Sequence, residues 1–260
     1  IDIGCLPNQS FPHLSETIKE LKRQGFYVSI DSHNNDELIL GAKSGADYML
    51  SIKSDNFHIL DEVDSYPILI PQNGDIKSLY ECIDKCLEMG RIFIADPILD
   101  PINYGFTDSI LRYKELRDRY PDIHIMMGTG NVTELTHADT TGITMTLMGI
   151  ISELKINHIL TTEVSNHCKS VVKENDIARR IILAAHDNNT TPKHIDSALL
   201  TTHDADSFKY STDEIRELAD NVRDKNYRIM ISEDGIHIFN KNGIKIAIDP
   251  FDLYESIDVE

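Results

Sequence analysis

Short apolar runs alternate with longer amphipathic stretches along the first 190 residues of the chain. Runs of a few consecutive apolar residues predict β-strands, and apolar positions that recur every three or four residues predict helices. The predicted strands cover residues 1–5, 26–30, 48–52, 68–70, 92–95, 123–127 and 158–162. The predicted helices cover residues 14–24, 36–43, 75–89, 109–120, 132–154 and 168–187, the fifth with a break near residues 140–142.

This alternation of strand and helix with short loops is typical of parallel β/α folds. Seven strands at this spacing are one fewer than the eight of a TIM-type (β/α)8 barrel. An open doubly wound sheet is the alternative, but no Gly-x-Gly-x-x-Gly follows the first strand to favour it. We therefore predict a β/α barrel that occupies residues 1–200.

The pattern changes after residue 190. Residues 201–211 are polar and are predicted to be a linker, and residues 212–224 have the spacing of a helix. Three alternating runs follow at residues 228–232, 235–239 and 244–248, separated by Asp-Gly and Asn-Gly pairs. Such pairs are strong hairpin signals. Residues 212–260 are therefore predicted to form a small α+β domain with an antiparallel meander.

The composition of the chain indicates which binding partners are unfavourable and in which cellular compartment the protein is expected. The 260-residue chain is 41% hydrophobic, enough for a large core, and its formal net charge is −18. So acidic a surface repels nucleic acid and anionic membranes, and we expect neither as a partner. No apolar run approaches the roughly 20 residues that span a bilayer. The four cysteines are too few and too scattered for a disulfide framework, which predicts a reducing, cytoplasmic setting.

Three predicted strands carry an aspartate at or near their C-terminal ends: Asp2, Asp31 and Asp96. In parallel β/α folds, ligands bind at this edge of the sheet. Carboxylates there can pair through two hydrogen bonds with an amidine-like edge, such as the N3–H and 2-amino group of a pterin. A Mg²⁺ site is less favoured, because the acids are spread over separate strands. No metal site is therefore predicted.

A glycine-rich turn, Gly128-Thr129-Gly130-Asn131, follows the sixth predicted strand and opens a predicted helix. Backbone N–H groups at such a turn can hold a phosphate without a lysine. The alternative is that Asn131 and Glu134 form only a helix-capping box, which would explain both residue types and is the favoured interpretation of that pair.

The runs IDIG (1–4), VSIDS (28–32), GAD (45–47) and IADP (94–97) resemble, in order and spacing, the pterin-binding barrels of dihydropteroate synthase and the pterin-dependent methyltransferases. The resemblance extends to about residue 187. More closely, residues 95–113, 126–139 and 160–165 are similar to a dihydropteroate synthase-related group from methanogens and methylotrophs, which make tetrahydromethanopterin. This alignment starts at the second strand of the barrel. It implies an upstream N-terminal region of the same protein that carries the first strand.

The resemblance implies a transferase that joins a 6-hydroxymethyl-dihydropterin diphosphate to a p-aminobenzoate-derived arylamine in tetrahydromethanopterin (folate-like) biosynthesis. Pterin and arylamine are then the small-molecule partners. Mg²⁺ could enter with the substrate diphosphate, and no other cofactor is expected. Formation of a homodimer is a further possibility. The alternatives are a methyltransferase-type barrel that binds methyl-tetrahydromethanopterin, and a non-catalytic pterin-binding subunit. The implied site comprises Asp2, Asp31, Asp96 and Ser51 for the pterin, Gly128, Thr129, Gly130 and Asn131 for a phosphate, and Glu163 as catalytic base.

The chain departs from the synthase pattern at three positions. The resemblance implies an Asn on the fourth barrel strand, where this chain has Leu50 and Ser51. The Ser-Arg-Lys after the seventh strand is replaced by residues 128–131, and the Arg-x-His of the eighth by Thr161-Thr162-Glu163. The cations that stabilise a departing diphosphate are therefore replaced, which is expected to lower the rate by roughly 10² to 10³ for each lost donor.

Overall fold

The computed structural model of the chain describes residues 1–5, 11–200, 208–254 and 257. Its strands are β1 (Asp2–Gly4), β2 (Ser29–Asp31), β3 (Tyr48–Ile52), β4 (Tyr66–Leu69), β5 (Ile94–Ala95), β6 (His124–Gly128), β7 (His158–Leu160), β8 (Arg228–Ser232), β9 (Gly235–Asn240) and β10 (Gly243–Ala247). Its α-helices are α1 (Leu14–Arg23), α2 (Asn35–Lys43), α3 (Ile76–Glu88), α4 (Phe106–Arg119), α5 (Gly130–Thr133), α6 (Thr140–Glu153), α7 (Val171–Asp187), α8 (Thr212–Asn221) and α9 (Pro250–Tyr254). Two short 3₁₀ helices cover Phe57–Asp61 and Asn166–Cys168.

The first seven strands form one parallel sheet in the order of the sequence, curled into an incomplete barrel with helices on its outside. The predicted TIM-type barrel architecture, one strand short, is confirmed. Within the described ranges, β1 pairs only with β2 and β7 pairs only with β6, so both have an unpaired side. Residues 201–207 of the predicted linker lie outside the described residues.

Alternation along each strand divides the apolar residues between two cores. Residues that face the helices, such as Ile30 and Met127, belong to the large core between sheet and helices. The residues that face the barrel interior form a smaller cluster of Leu50, Ile68, Ile94 and Met126. Because successive strand residues point to opposite faces, Asp31 is directed away from the helix-side core that buries Ile30.

The helix predicted for residues 132–154 is two helices, α5 and α6, and the predicted break is misplaced. The chain leaves the helical path after Glu134 and turns at Thr136, whose carbonyl accepts from the amide of Ala138 at 2.9 Å. Asp139 has extended backbone (ψ 126°) immediately before α6 begins. The predicted break at residues 140–142 is therefore wrong, because Thr140 already starts the second helix.

Arg117, near the C-terminal end of α4, ties together the loops at the N-terminal end of the barrel. Its guanidinium donates to the carbonyl oxygens of Leu154 and Lys155, both at 2.9 Å. It also donates to the carbonyls of Tyr120, Pro121 and Ile123 at 2.8–3.2 Å. One side chain thus satisfies acceptors in the loop before β6 and in the loop before β7.

The C-terminal residues form a three-stranded antiparallel sheet in the order β10-β9-β8, as the meander prediction requires. Helix α8 packs on one face through Ile215 and Ala219 against Phe239. Its start is fixed by a capping box in which Ser211 and Glu214 bond reciprocally. Among the described residues, no helix has the length and apolar character to cross a membrane.

Candidate functional site

Polar side chains collect in two groups, one beside β1 and β2 and the other at the C-terminal ends of β5 and β6. The first group contains Asp2, Asp31 and His33 on the side of β1 and β2. The second contains Asp96, Tyr113 and the turn after β6. The sequence predicted the aspartates and the turn, but not their division into two groups.

Asp31 ends β2, is half-buried and lies near Asp2. Burial, followed by the negative charge of Asp2, raises the pKa of Asp31 to about 6, and nearby His33 opposes the rise. Burial also raises the pKa of Asp2, against a hydrogen bond from the Ser29 hydroxyl. The group therefore holds two carboxylates that interact electrostatically.

Asp2 does not lie at the C-terminal end of its strand. It starts β1 and is in register with Ser29, whereas Gly4 is in register with Asp31. The prediction of its position is wrong because β1 starts at Asp2 and ends two residues later, at Gly4. Its side chain remains on the same face as that of Asp31, since strand side chains alternate with a period of two.

Asp96 follows β5 directly and is only 7% exposed. Its Oδ1 accepts two hydrogen bonds, from the Tyr113 hydroxyl at 2.6 Å and from the amide of Ile98 at 2.8 Å. Burial raises the pKa of Asp96 to about 6, although both hydrogen bonds and the charge of Arg112 act to lower it. The carboxylate is thus desolvated and fixed through one oxygen.

The second oxygen of Asp96 points toward the turn after β6. A Cβ placed on Gly128 would lie 4.0 Å from Asp96 Oδ2 and 3.8 Å from Asn131 Nδ2. Within the part of the chain that the structure describes, Oδ2 has no hydrogen-bond partner, since the bonds to this carboxylate all reach Oδ1. Among the described residues, Oδ2 is therefore an acceptor without a donor that lies beside the backbone of Gly128.

The loop after Asp96 is held by α4. Arg112 donates to the carbonyl oxygen of Ile98 at 2.8 Å and to that of Pro97 at 3.3 Å, and forms an ion pair with Asp100 at 2.8 Å. Ile98 has φ 67°, a left-handed conformation that a β-branched residue rarely adopts and that costs on the order of 1–3 kcal/mol. The surrounding contacts therefore impose a strained backbone beside the aspartate.

Asn131 and Glu134 do not form a capping box, and this favoured interpretation is wrong. Asn131 Nδ2 donates across to the carbonyl of Leu99 at 2.8 Å. Glu134 accepts from the amides of Val164 and Ser165, at 2.8 and 2.9 Å, in the loop after β7. Both residues therefore connect different loops of the barrel edge, which local spacing in the sequence could not reveal.

The phosphate-binding role of residues 128–131 stays a prediction. The turn has fewer free backbone N–H groups to donate to a phosphate than the sequence suggested. Helix α5 has only four residues, and the amide of Thr129 already donates to the carbonyl of Leu160 at 2.9 Å. A Cβ on Gly130 would approach Thr162 Oγ1 at 3.0 Å. The glycine is therefore needed for close packing of the turn against the residues that follow β7.

We expect Glu134→Gln to destabilise the fold at neutral pH. Burial raises the pKa of Glu134, but hydrogen bonds from Ser165, Val164 and Thr162 outweigh it and hold the pKa at about 2. Since this pKa is lowered, the stabilisation is present above pH 4.5 and disappears as the pH falls toward 2. Hydrogen bonds to a charged group contribute about 1.5–3 kcal/mol.

Urea unfolding from pH 2 to pH 7 measures this effect, with exposed Glu153→Gln as the control. The free energies of unfolding of wild type and Glu134→Gln should converge toward pH 2. A difference between them that is independent of pH would contradict the assignment of the low pKa to Glu134.

The remaining predicted residues lie as follows. Ser51 is half-buried in β3 where the register with β4 shifts, and its carbonyl accepts from Asn56 Nδ2 at 3.1 Å.

Glu163 is exposed, and its Oε1 accepts from the amide of Val172 in the first turn of α7, at 3.0 Å. The structure thus gives Glu163 a helix-capping contact, and its role as catalytic base stays a prediction.

Tyr113, Arg112 and Ile98 were missed as site residues. Tyr113 and Arg112 lie in a stretch whose helical spacing predicted only packing. The sequence indicated their role only weakly, by a tyrosine and an arginine on the helix that follows the strand before Asp96. Their contacts with the loop exist only because α4 folds back over the sheet.

Comparisons with known proteins address the fold. Dihydropteroate synthase from Yersinia pestis superposes with a TM-score of 0.52 at 16% identity, covering 72% of this chain and 82% of the synthase. The enzyme from Anaplasma phagocytophilum with bound 6-hydroxymethylpterin-monophosphate gives 0.51 at 18%, covering 70% and 87%. That from Xanthomonas albilineans gives 0.54 at 14%, covering 71% and 79%. The barrel has the fold of the dihydropteroate synthases.

Sequence comparison adds a relative without a known activity. An uncharacterised protein of Methanocaldococcus jannaschii is 30% identical over 276 aligned positions, which include 96% of this chain. The chain spans 50% of the length of that relative. No family model matches the chain.

Proposed function

We propose that this chain is the pterin-binding barrel of a dihydropteroate synthase-like transferase. The observation that carries the proposal is Asp96, a buried carboxylate at a strand end. Its Oδ1 accepts two hydrogen bonds, and its Oδ2, beside Gly128, accepts none from the described residues. A carboxylate oxygen has two lone pairs. Oδ2 can therefore accept both the N3–H and the 2-amino N–H of a pterin, instead of sharing them between both oxygens.

The transfer that fits this fold joins the pterin to an arylamine. The amine nitrogen attacks the methylene carbon of a 6-hydroxymethyl-dihydropterin diphosphate, a C–N bond forms, and the C–O bond breaks. Diphosphate leaves with the electron pair, and the amine loses a proton to solvent or to a nearby base. Asp31 and Asp2 supply further acceptors for N–H donors of the substrates. A p-aminobenzoate-derived arylamine, as used in tetrahydromethanopterin synthesis, is the proposed acceptor.

A second candidate is a barrel that binds a methylated pterin for methyl transfer or binds pterin without catalysis. The segments that follow β6 and β7 support it, because neither residues 128–131 nor residues 161–163 contain a lysine or an arginine. Glu134 and Glu163 lie there instead. Carboxylates at this edge oppose a departing diphosphate, whereas a methyl transfer releases no such anion.

Two measurements, pyrophosphate release and pterin binding, separate these functions. The full-length protein is incubated with 6-hydroxymethyl-7,8-dihydropterin diphosphate, Mg²⁺ and either p-aminobenzoate or a ribose phosphate-bearing arylamine, and pyrophosphate release is followed. Amine-dependent release is the expected result for the transferase. Pterin binding in calorimetry without release supports the second candidate, and the absence of any pterin binding would overturn both.

A further inference from the structure

The hydroxyl of Tyr113 is the closest hydrogen-bond partner of Asp96. Tyr113 is fully buried in the third turn of α4, and its hydroxyl donates to Asp96 Oδ1 at 2.6 Å. The amide of Ile98 donates to the same oxygen at 2.8 Å. Two donors from two different elements therefore converge on one oxygen of the carboxylate and leave the other for a different partner.

We propose that Tyr113 is a positioning residue that fixes Asp96 through Oδ1 so that Oδ2 is presented, ionised, to an N–H donor of the ligand beside Gly128. This inference rests on the proposed pterin-binding function. Tyr113 itself does not contact the ligand in this proposal. It acts by selecting one orientation and one protonation state of Asp96.

The surroundings of the pair support a role beyond packing. Burial and the charge of Asp96 raise the pKa of Tyr113 well above its usual value, and the backbone of Gly128 opposes this rise, so the phenol oxygen lies close to both Asp96 and Gly128. A tyrosine that only filled the core would bond equally well to a backbone carbonyl. Its hydroxyl donates instead to Asp96, whose Oδ2 lies beside Gly128.

The charges around Asp96 make the proposed effect measurable. From α4, Arg112 and Tyr113 face the carboxylate, and both lower its pKa. Arg112 is itself paired with Asp100 of the loop. The turn after β6, residues 128–131, has no titratable side chain. Since burial holds the pKa of Asp96 at about 6, loss of the phenol hydroxyl would raise it further toward neutral pH.

The test is Tyr113→Phe, which removes only the hydroxyl. Binding of 6-hydroxymethylpterin to the full-length protein is measured by calorimetry from pH 5.0 to 8.0. We expect the pH midpoint of binding to rise by about one to two units, since a hydrogen bond to a charged group has a strength of that order. At pH 6.5 this corresponds to a loss of roughly tenfold in affinity, which is largely regained at pH 8.

Two controls make the outcomes decisive. Tyr120 caps the C-terminal end of α4, and its hydroxyl donates to Asp84 of α3 at 2.8 Å. Tyr120→Phe removes this hydroxyl and should leave the midpoint unchanged. The carboxyl ¹³C titration of Asp96, assigned by its disappearance in Asp96→Asn, needs no ligand. Its midpoint should rise in Tyr113→Phe. An unchanged carboxyl midpoint, or a pH-independent loss of affinity, overturns the positioning role.

The two arms also separate failure of this inference from failure of the proposed function. If wild-type protein binds no pterin, the function fails, while the carboxyl titration still reports whether Tyr113 controls Asp96. If wild-type protein binds and Tyr113→Phe binds with an identical pH profile, the function stands and the positioning role is wrong.

Discussion

Asp96→Asn is expected to reduce pterin affinity by about 100-fold or more while the protein remains folded. The Asn carbonyl can still accept from Tyr113 and from the amide of Ile98, so the loop keeps its anchor. The amide group then replaces Oδ2 and turns a donor toward the N–H groups of the ligand. Leaving donors of a bound ligand unpaired costs about 1–3 kcal/mol for each group, and 1.4 kcal/mol corresponds to a factor of ten in Kd.

The same substitution should stabilise the protein at neutral pH. Burial raises the pKa of Asp96 from 3.8 to about 6, so between these values the folded state binds more protons than the unfolded state. Stability contributed by this group therefore falls as the pH rises through that range, by about 3 kcal/mol in total, since each pH unit corresponds to about 1.4 kcal/mol. Asparagine has no such titration.

Calorimetric binding of 6-hydroxymethylpterin and urea unfolding at pH 4 and pH 7 check both parts. The difference in unfolding free energy between variant and wild type should shift in favour of the variant between the two pH values. Asp118→Asn, at an exposed site on α4 that pairs with Lys114, is the matched control. Undiminished pterin affinity in Asp96→Asn would remove Asp96 from the binding site.

Arg117→Met is expected to cause a large loss of stability without a direct effect on the ligand site. The guanidinium is half-buried and donates to five backbone carbonyls around the loops before β6 and β7. Methionine retains the length and the apolar contacts but leaves these acceptors without their charged donor. We expect a loss of about 3 kcal/mol, since a hydrogen bond to a charged group is worth about 1.5–3 kcal/mol and water replaces part of the set.

For a protein of this size, such a loss lowers Tm by roughly 6–12 °C. Differential scanning calorimetry measures it, with Arg180→Met as the control. The side chain of Arg180 is 67% exposed and pairs with Asp176 on the same helix, and such surface pairs contribute about 0–1 kcal/mol. Equal values of Tm in the two variants would show that the carbonyl contacts of Arg117 contribute no more than a surface ion pair.

The sequence by itself determined the order of the elements and the class of the fold. Apolar runs separated by amphipathic helices specify a parallel β/α sheet, because each strand must be buried on both faces and each helix on one. The meander near the C-terminus followed from Asp-Gly and Asn-Gly turns between alternating runs. The position of Asp96 at a strand end also followed, because the apolar run before it stops there.

Only the tertiary structure decided what those strand-end residues contact. Asn131 and Glu134 have the spacing of a capping box, yet each bonds to a loop about 30 residues away in sequence. Tyr113 has the spacing of a core helix residue, yet its hydroxyl fixes the carboxylate of Asp96. Local patterns record which face of an element is buried. They do not record which polar atoms from distant elements meet there, because that depends on how helices and loops pack across the edge of the sheet.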